Sequence, residues 1–101
     1  MNELWEFESK CEWNYEYRGM HFYGKKSGIR YIFRITQEAL IYCFQCNEDT
    51  PEAAEEIFKQ NRDKIESVAK RYASEAKAND DPPHYTITKA NYENLVGELT
   101  G

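Results

Sequence analysis

The hydrophobic pattern of the chain changes period near residue 36, and that change restricts the fold more than any other feature. From Cys11 to Thr36 apolar and polar side chains largely alternate, the mark of half-buried strands. From Ala54 to Ala76 apolar residues recur three and four apart, the mark of an amphipathic helix. A chain of 101 residues has room for one core. Sheet and helix must bury their apolar sides against each other, which implies a single α+β domain over residues 1–101.

Within the alternating part, Cys11, Trp13, Tyr15 and Tyr17 share one side of a first strand, with Glu12, Asn14, Glu16 and Arg18 on the other. Residues 1–10 read as an N-terminal extension in which Trp5 and Phe7 alternate with Glu6 and Glu8 as a further short strand. Arg18-Gly19 offers a turn, Met20–Lys25 a second strand, and Gly28 the positive φ of a hairpin link. In a third strand, Ile29–Thr36, the residues Ile29, Tyr31, Phe33 and Ile35 point one way and Arg30, Ile32, Arg34 and Thr36 the other.

Thr36 suits the N-cap of a short helix to about Gln45, with Glu38 in its first turn. Thr50-Pro51-Glu52 opens a long helix to Ala78, whose stripe ends in Tyr72, Ala73 and Ala76. Asn79-Asp80-Asp81-Pro82-Pro83 stops it, and His84–Thr88 alternates as a fourth strand. Lys89–Leu99 makes a last short helix, so that residues 91–101 are C-terminal helix and tail. The expected architecture is a three- to four-stranded, mainly antiparallel sheet, an N-terminal meander packed on one face by one long and two short helices.

The formal net charge of −5 argues against nonspecific attraction to nucleic acid or to an anionic membrane. Charge is unevenly placed. Residues 1–16 carry Glu3, Glu6, Glu8, Glu12 and Glu16 against Lys10, whereas 17–37 carry Arg18, Lys25, Lys26, Arg30 and Arg34 without an acid. Apolar runs such as Ala39–Phe44 are too short to span a bilayer, and Met1–Glu8 holds three glutamates where a signal peptide would hold lysines. The expected location is the cytoplasm, where three cysteines stay reduced.

Cys43-Phe44-Gln45-Cys46 has the CxxC spacing of metal and dithiol sites. A structural zinc needs four ligands, which here would require Cys11 and His21 or His84 to converge from distant segments. A redox dithiol is activated at a helix N-terminus, and this pair falls near a helix end. Ordinary half-buried cysteines, no metal and no cofactor are the expectation. His21 and His84 fit packing or surface roles on strands. No GxSxG, Walker, GxGxxG or HExxH pattern is present in the sequence, so the chain carries no enzyme signature and no catalytic residue is assigned.

The order Trp13, His21-Phe22, Gly28, an apolar third strand, Thr36-Gln37-Glu38-Ala39-Leu40, Ile57-Phe58, Asn61-Arg62, Ile65-Glu66, Ala69 and a closing Tyr85–Thr88 strand resembles a small bacterial family, domain of unknown function 1488. The similarity spans residues 11–90 and is most specific at Asn61-Arg62-x-x-Ile65-Glu66. The chain departs from the family pattern in its Asp49-Thr50-Pro51-Glu52 loop, in extra C-terminal residues and in a third strand without cysteine. The resemblance implies a compact α+β domain and brings no activity, cofactor or catalytic residue.

Function then rests on surfaces. Eleven of the fifteen aromatic residues lie in the first 44 positions, more than a small core encloses, and aromatic side chains favour interfaces. Trp5, Tyr15, Tyr17, Tyr72, Ala73 and Ala76 are the interface candidates, the last three because a helix of about 40 Å would overhang so small a domain and seek a partner. Lys25, Lys26, Arg30 and Arg34, with Tyr31 and Arg62, are the binding candidates. Arg30 and Arg34 flank Ile32 on one side of the third strand. Their plain role is to balance the Glu-rich first strand; their sharper one is to grip an anion. Arg62 and Glu66 read as an intrahelical pair that could also fix helix docking.

The expected function is a small cytoplasmic, non-enzymatic binding or protein-interaction domain that self-associates as a homodimer or takes a protein partner, with no membrane role. The alternative is a binder of an anionic ligand or nucleic acid through the basic hairpin, or an acidic inhibitor of a nucleic-acid-binding protein.

Overall fold

Three antiparallel strands build the meander in a computed structural model that describes residues 5–16, 18–45, 48 and 50–100, with 96–100 as backbone. They are β1 (Trp5–Asn14), β2 (Gly19–Lys26) and β3 (Ile29–Thr36); β4 (Tyr85–Ile87) joins β3 in parallel, giving the sheet order β1-β2-β3-β4. Ser27 and Gly28, with φ of 55° and 79°, close the β2–β3 hairpin in two residues, the turn whose twist matches its strands.

Helices α1 (Gln37–Phe44), α2 (Pro51–Gln60), α3 (Arg62–Glu75) and α4 (Lys89–Thr100) follow. Thr36 and Thr50 cap α1 and α2, their hydroxyls accepting from the N–H groups of Ala39 and Ala53 at 3.2 Å, as the sequence indicated. Each cap contributes about 1 kcal/mol.

Cross-strand pairing aligns Met20 with Ile35, Phe22 with Phe33, and Phe33 with Tyr85, so one sheet face is apolar along its length. Leu40, Phe58, Ile65, Val68 and Leu95 from the helices bury against that row. Fully burying side chains of this size contributes about 1.5–3 kcal/mol each. The opposite sheet face is left without a helical layer. The fold is α+β, as expected.

Two expectations are corrected. The first strand runs from Trp5 to Asn14 in one piece, because Phe7 pairs with Gly24 and Cys11 with Phe22: a bulge absorbs two extra residues and keeps Trp5, Phe7, Cys11 and Trp13 on the apolar face. The alternation stops at Asn14, so Tyr15 sits in the following turn at 75% exposure rather than on a strand. Tyr17 lies outside the described residues.

The long helix is two helices. Between Phe58 and Ile65 the sequence is Lys59-Gln60-Asn61-Arg62-Asp63-Lys64, with no apolar residue to hold a continuous stripe. Asn61, at φ −116° and ψ 20°, leaves the helical region, and its side chain donates to the Ile57 carbonyl at 2.9 Å, competing with the helix ladder. The pieces are about 15 and 21 Å long, and the overhang disappears. Tyr72 and Ala73 pack against the core, and Ala76 is the half-buried C-cap of α3.

Candidate functional site

Along β3 the apolar face passes from exposed Ile29 through half-buried Tyr31 to fully buried Phe33, so the helices cover one end of the sheet and leave the other open. The uncovered end collects four of the candidates, Trp5, Lys26, Tyr31 and Tyr72. Trp5 and Tyr31 meet at 5.5 Å between ring centroids, Tyr31 lies 5.9 Å from Tyr85, and Tyr85 lies 6.0 Å from Tyr72. Trp5, Lys26 and Ile29 are level across the strands, and the Lys26 ammonium stands 5.8 Å from the Trp5 ring.

Gly24 makes this shelf possible. A Cβ there would come within 2.9 Å of Phe7 and 3.2 Å of Trp5, whose rings lie across the gap. His84 borders the shelf, with its ring at 5.5 Å from Tyr31, its Nδ1 accepting from the Ile32 N–H, and its own N–H donating to the Ile32 carbonyl. It is a packing residue of the β3–β4 junction. Trp5, Tyr31 and Tyr72 thus form one half-buried aromatic margin, with Ile29 at 56% exposure as its outermost apolar group.

The other sheet face is polar and orders its own charges. Tyr23 donates to the Glu12 carboxylate at 2.6 Å, and the Arg30 guanidinium lies 4.1 Å over the Tyr23 ring. Arg30 also forks onto Glu8, Nε to Oε2 at 2.7 Å and Nη2 to Oε1 at 3.2 Å. Burial first, and the bond to Glu12 second, push the Tyr23 hydroxyl up to about 12. The same bond holds the Glu12 carboxyl below its ordinary range, and the Arg30 bond does so for Glu8. Desolvation, then the Arg34 charge, lowers His21, so its neutral form is favoured.

The expected basic hairpin is therefore shared between two faces. Arg30 and Arg34 flank Ile32 on the polar face as the alternation required, with Lys25 level with Arg30, while Lys26 turns to the aromatic side. Arg30 is already held by a carboxylate in two places. That matches the charge-balancing role better than an open anion grip.

Arg62 does not belong to either surface. Its Nη1 donates to the Ser9 carbonyl at 3.0 Å, its Nη2 to the Glu8 carbonyl, and its Nε to Glu66 at 2.6 Å. It fastens the start of α3 to the bulge of β1, the docking role its spacing suggested.

Cys11 and Cys43 are half-buried, and burial pushes both thiols up, away from the reactive thiolate. Cys46 lies outside the described residues, so the CxxC pair is not defined there. Among the described residues no group of three or more His, Cys, Asp or Glu side chains gathers as a metal site. The outer side of α2 is lined by Glu52, Glu55, Glu56, Lys59 and Gln60, of which Lys59 pairs with Glu55 and Gln60 with Glu56. Among the described residues no helix is long and apolar enough to cross a membrane.

Sequence reasoning missed Glu8, Glu12 and Tyr23 as one array. Alternation through β2 puts Tyr23 and Lys25 on one face, but the neighbour of Tyr23 follows only from register. Ile29 was legible as an alternating strand residue, not as an exposed tip.

Such a chain is a two-layer α+β domain with an aromatic margin on its covered face and a charge-ordered open face. It belongs to the family described as "Protein of unknown function (DUF1488)", whose model matches residues 6–87. It is similar to a crystal structure of a protein of unknown function from the DUF1488 family of Shewanella loihica PV-4. The two are 25% identical with a TM-score of 0.73, the match covering 87% of this chain and 93% of that one. Among curated proteins the search found no match.

Proposed function

We propose that this chain is a small, non-enzymatic binding domain of the cytoplasm whose aromatic margin receives a protein partner. The observation that carries the reading is the shelf of Trp5 and Tyr31 on the sheet and Tyr72 on α3, half-buried rings continued by exposed Ile29. Rings of this kind present large apolar area at low entropic cost and dominate binding energy where they cluster. Lys26 on the shelf favours a partner whose apolar anchor is flanked by a carboxylate.

The test uses tagged parent protein and two exposed-site variants that leave the core intact. Ile29→Asp places a charge on the margin, while Tyr42→Ser removes an exposed ring elsewhere, on α1. A specific partner should be retained by the parent and by Tyr42→Ser and lost by Ile29→Asp, each variant showing parental circular dichroism. Identical capture by all three removes the margin as the binding surface.

A further inference from the structure

The open sheet face carries a pattern that is complementary to itself. Across one level of the sheet, Glu12 on β1 and Arg34 on β3 lie on either side of β2; two levels along, Glu6 on β1 and Arg30 on β3 repeat the arrangement. Between these levels stand Tyr23 and Ile32, a ring and a branched aliphatic chain side by side. Carboxylates thus run along one side of β2 and guanidiniums along the other; β2 itself places His21 and Lys25 between them, with Tyr23 midway and buried beneath Arg30.

We infer that this face pairs with the same face of a second copy of the chain, about a two-fold axis that runs along β2 between the two sheets. Such an axis turns β1 of one copy over β3 of the other while keeping positions along the strands level. Glu12 then faces the second copy's Arg34, and Arg34 its Glu12; Glu6 and Arg30 exchange in the same way. At the middle level Ile32 is the apolar contact, Tyr23 being already buried beneath Arg30, and on the axis Lys25 meets the second copy's Lys25 between the Glu6 carboxylates of both copies.

A partner of uniform charge meets only part of this pattern favourably. A nucleic acid backbone would gain at Lys25, Arg30 and Arg34 and lose at Glu6 and Glu12. A second copy supplies the inverse pattern at the required spacing by symmetry alone. Glu12 accepts one hydrogen bond, from Tyr23, and has lone pairs to spare, and Arg30, which gives two of its five donors to Glu8, has others left, so a second partner adds to what is present.

Size agrees. With strands ~4.8 Å apart and ~3.3 Å of rise per residue, the face offers about 400–500 Å² in plan on each copy. A pair would bury on the order of 1,000 Å², the lower bound for a specific interface, which suits a dimer that forms at micromolar concentration and weakens with salt.

The test is mass in solution by sedimentation or light scattering from micromolar to submillimolar protein. The parent should move from the 12.0 kDa monomer to twice that mass, with a dissociation constant that rises with ionic strength. Arg34→Glu and Glu12→Arg should each weaken the dimer by about 100-fold or more, because each variant sets like charges opposed at both symmetry-related contacts. Mixed in equal amounts, the two variants should restore the dimer, since both contacts between positions 12 and 34 are again opposite in charge. If either variant fails to fold, side-chain NMR of the unaltered parent replaces it: shifts on dilution should be confined to the open face, at Glu6, Glu12, Lys25, Arg30, Ile32 and Arg34. A parent that stays monomeric, variants that dimerise as the parent does, a mixture that stays monomeric, or dilution shifts centred on Ile29 and Tyr72 would each overturn the inference.

Discussion

Replacing Arg62 by methionine removes the guanidinium while keeping an apolar stem of similar length, and so isolates what holds α3 to β1. Three interactions go: the bonds to the carbonyls of Ser9 and Glu8, and the contact with Glu66 at 2.6 Å. The Arg62 and Glu66 side chains are only 20% and 22% exposed, so this is not an ordinary solvated pair. A hydrogen bond from a charged donor contributes about 1.5–3 kcal/mol, but the two freed carbonyls sit at a sheet edge where water can reach them, which returns part of the loss. The net expectation is about 2–3 kcal/mol, a large share of the roughly 5–10 kcal/mol available to such a domain.

At about 4–8 °C per kcal/mol for a domain of this size, the melting temperature should fall by about 10–20 °C. Glu66→Gln, which leaves both carbonyl bonds in place, should cost under about 1 kcal/mol. The double variant should resemble Arg62→Met alone, because the two residues share one interaction. Urea unfolding followed by circular dichroism measures all three. A loss below about 0.5 kcal/mol for Arg62→Met would show that apolar packing, not the guanidinium, docks the helix.

Gly24→Ala should cost about 1–3 kcal/mol and alter tryptophan fluorescence, since the new methyl must displace Phe7 and Trp5; unchanged emission would contradict the shelf geometry. His21 has a folded-state pKa below its ordinary 6.5, so the unfolded chain binds the proton more readily. Its contribution to stability is present above pH 6.5 and is lost as pH falls from there through the lowered value, and His21→Gln should flatten the acid limb of the melting-temperature profile. Tyr23→Phe deletes the hydroxyl that holds Glu12 down, so the Glu12 carboxyl should titrate higher by NMR; no movement would mean the bond is absent in solution.

What the sequence made legible was local. The alternation of Ile29–Thr36, the two threonine caps and the proline at the start of α2 are properties of a few neighbouring residues, and they appear where the pattern placed them. The bulge in β1 and the break at Asn61 were not legible for a common reason. Each is a local irregularity held by the other through Arg62, fifty-three residues away from Ser9, and neither segment read alone contains its partner. The segment Asn61-Arg62-x-x-Ile65-Glu66 has a physical content: a break, a fork to the bulge, a core residue and the carboxylate that orients the fork.

The site was legible as residue types and not as positions. An excess of aromatic residues in the first 44 signalled unburied rings, but alternation cannot say which level of a strand the helices leave uncovered. Tyr31 and Phe33 have the same pattern and the same face; one lies on the margin and the other at the centre because the helices reach one end of β3 and not the other. Breaking the expected helix at Asn61 is what sets that limit. A straight helix of about 40 Å would carry Tyr72 past the sheet, whereas α3, starting afresh from the β1 bulge, brings Tyr72 back against Tyr85 and leaves its ring half-open beside Tyr31. The Arg62 contact therefore shapes the aromatic margin, and a variant that loosens it should weaken capture of the proposed partner even though Arg62 touches neither proposed surface.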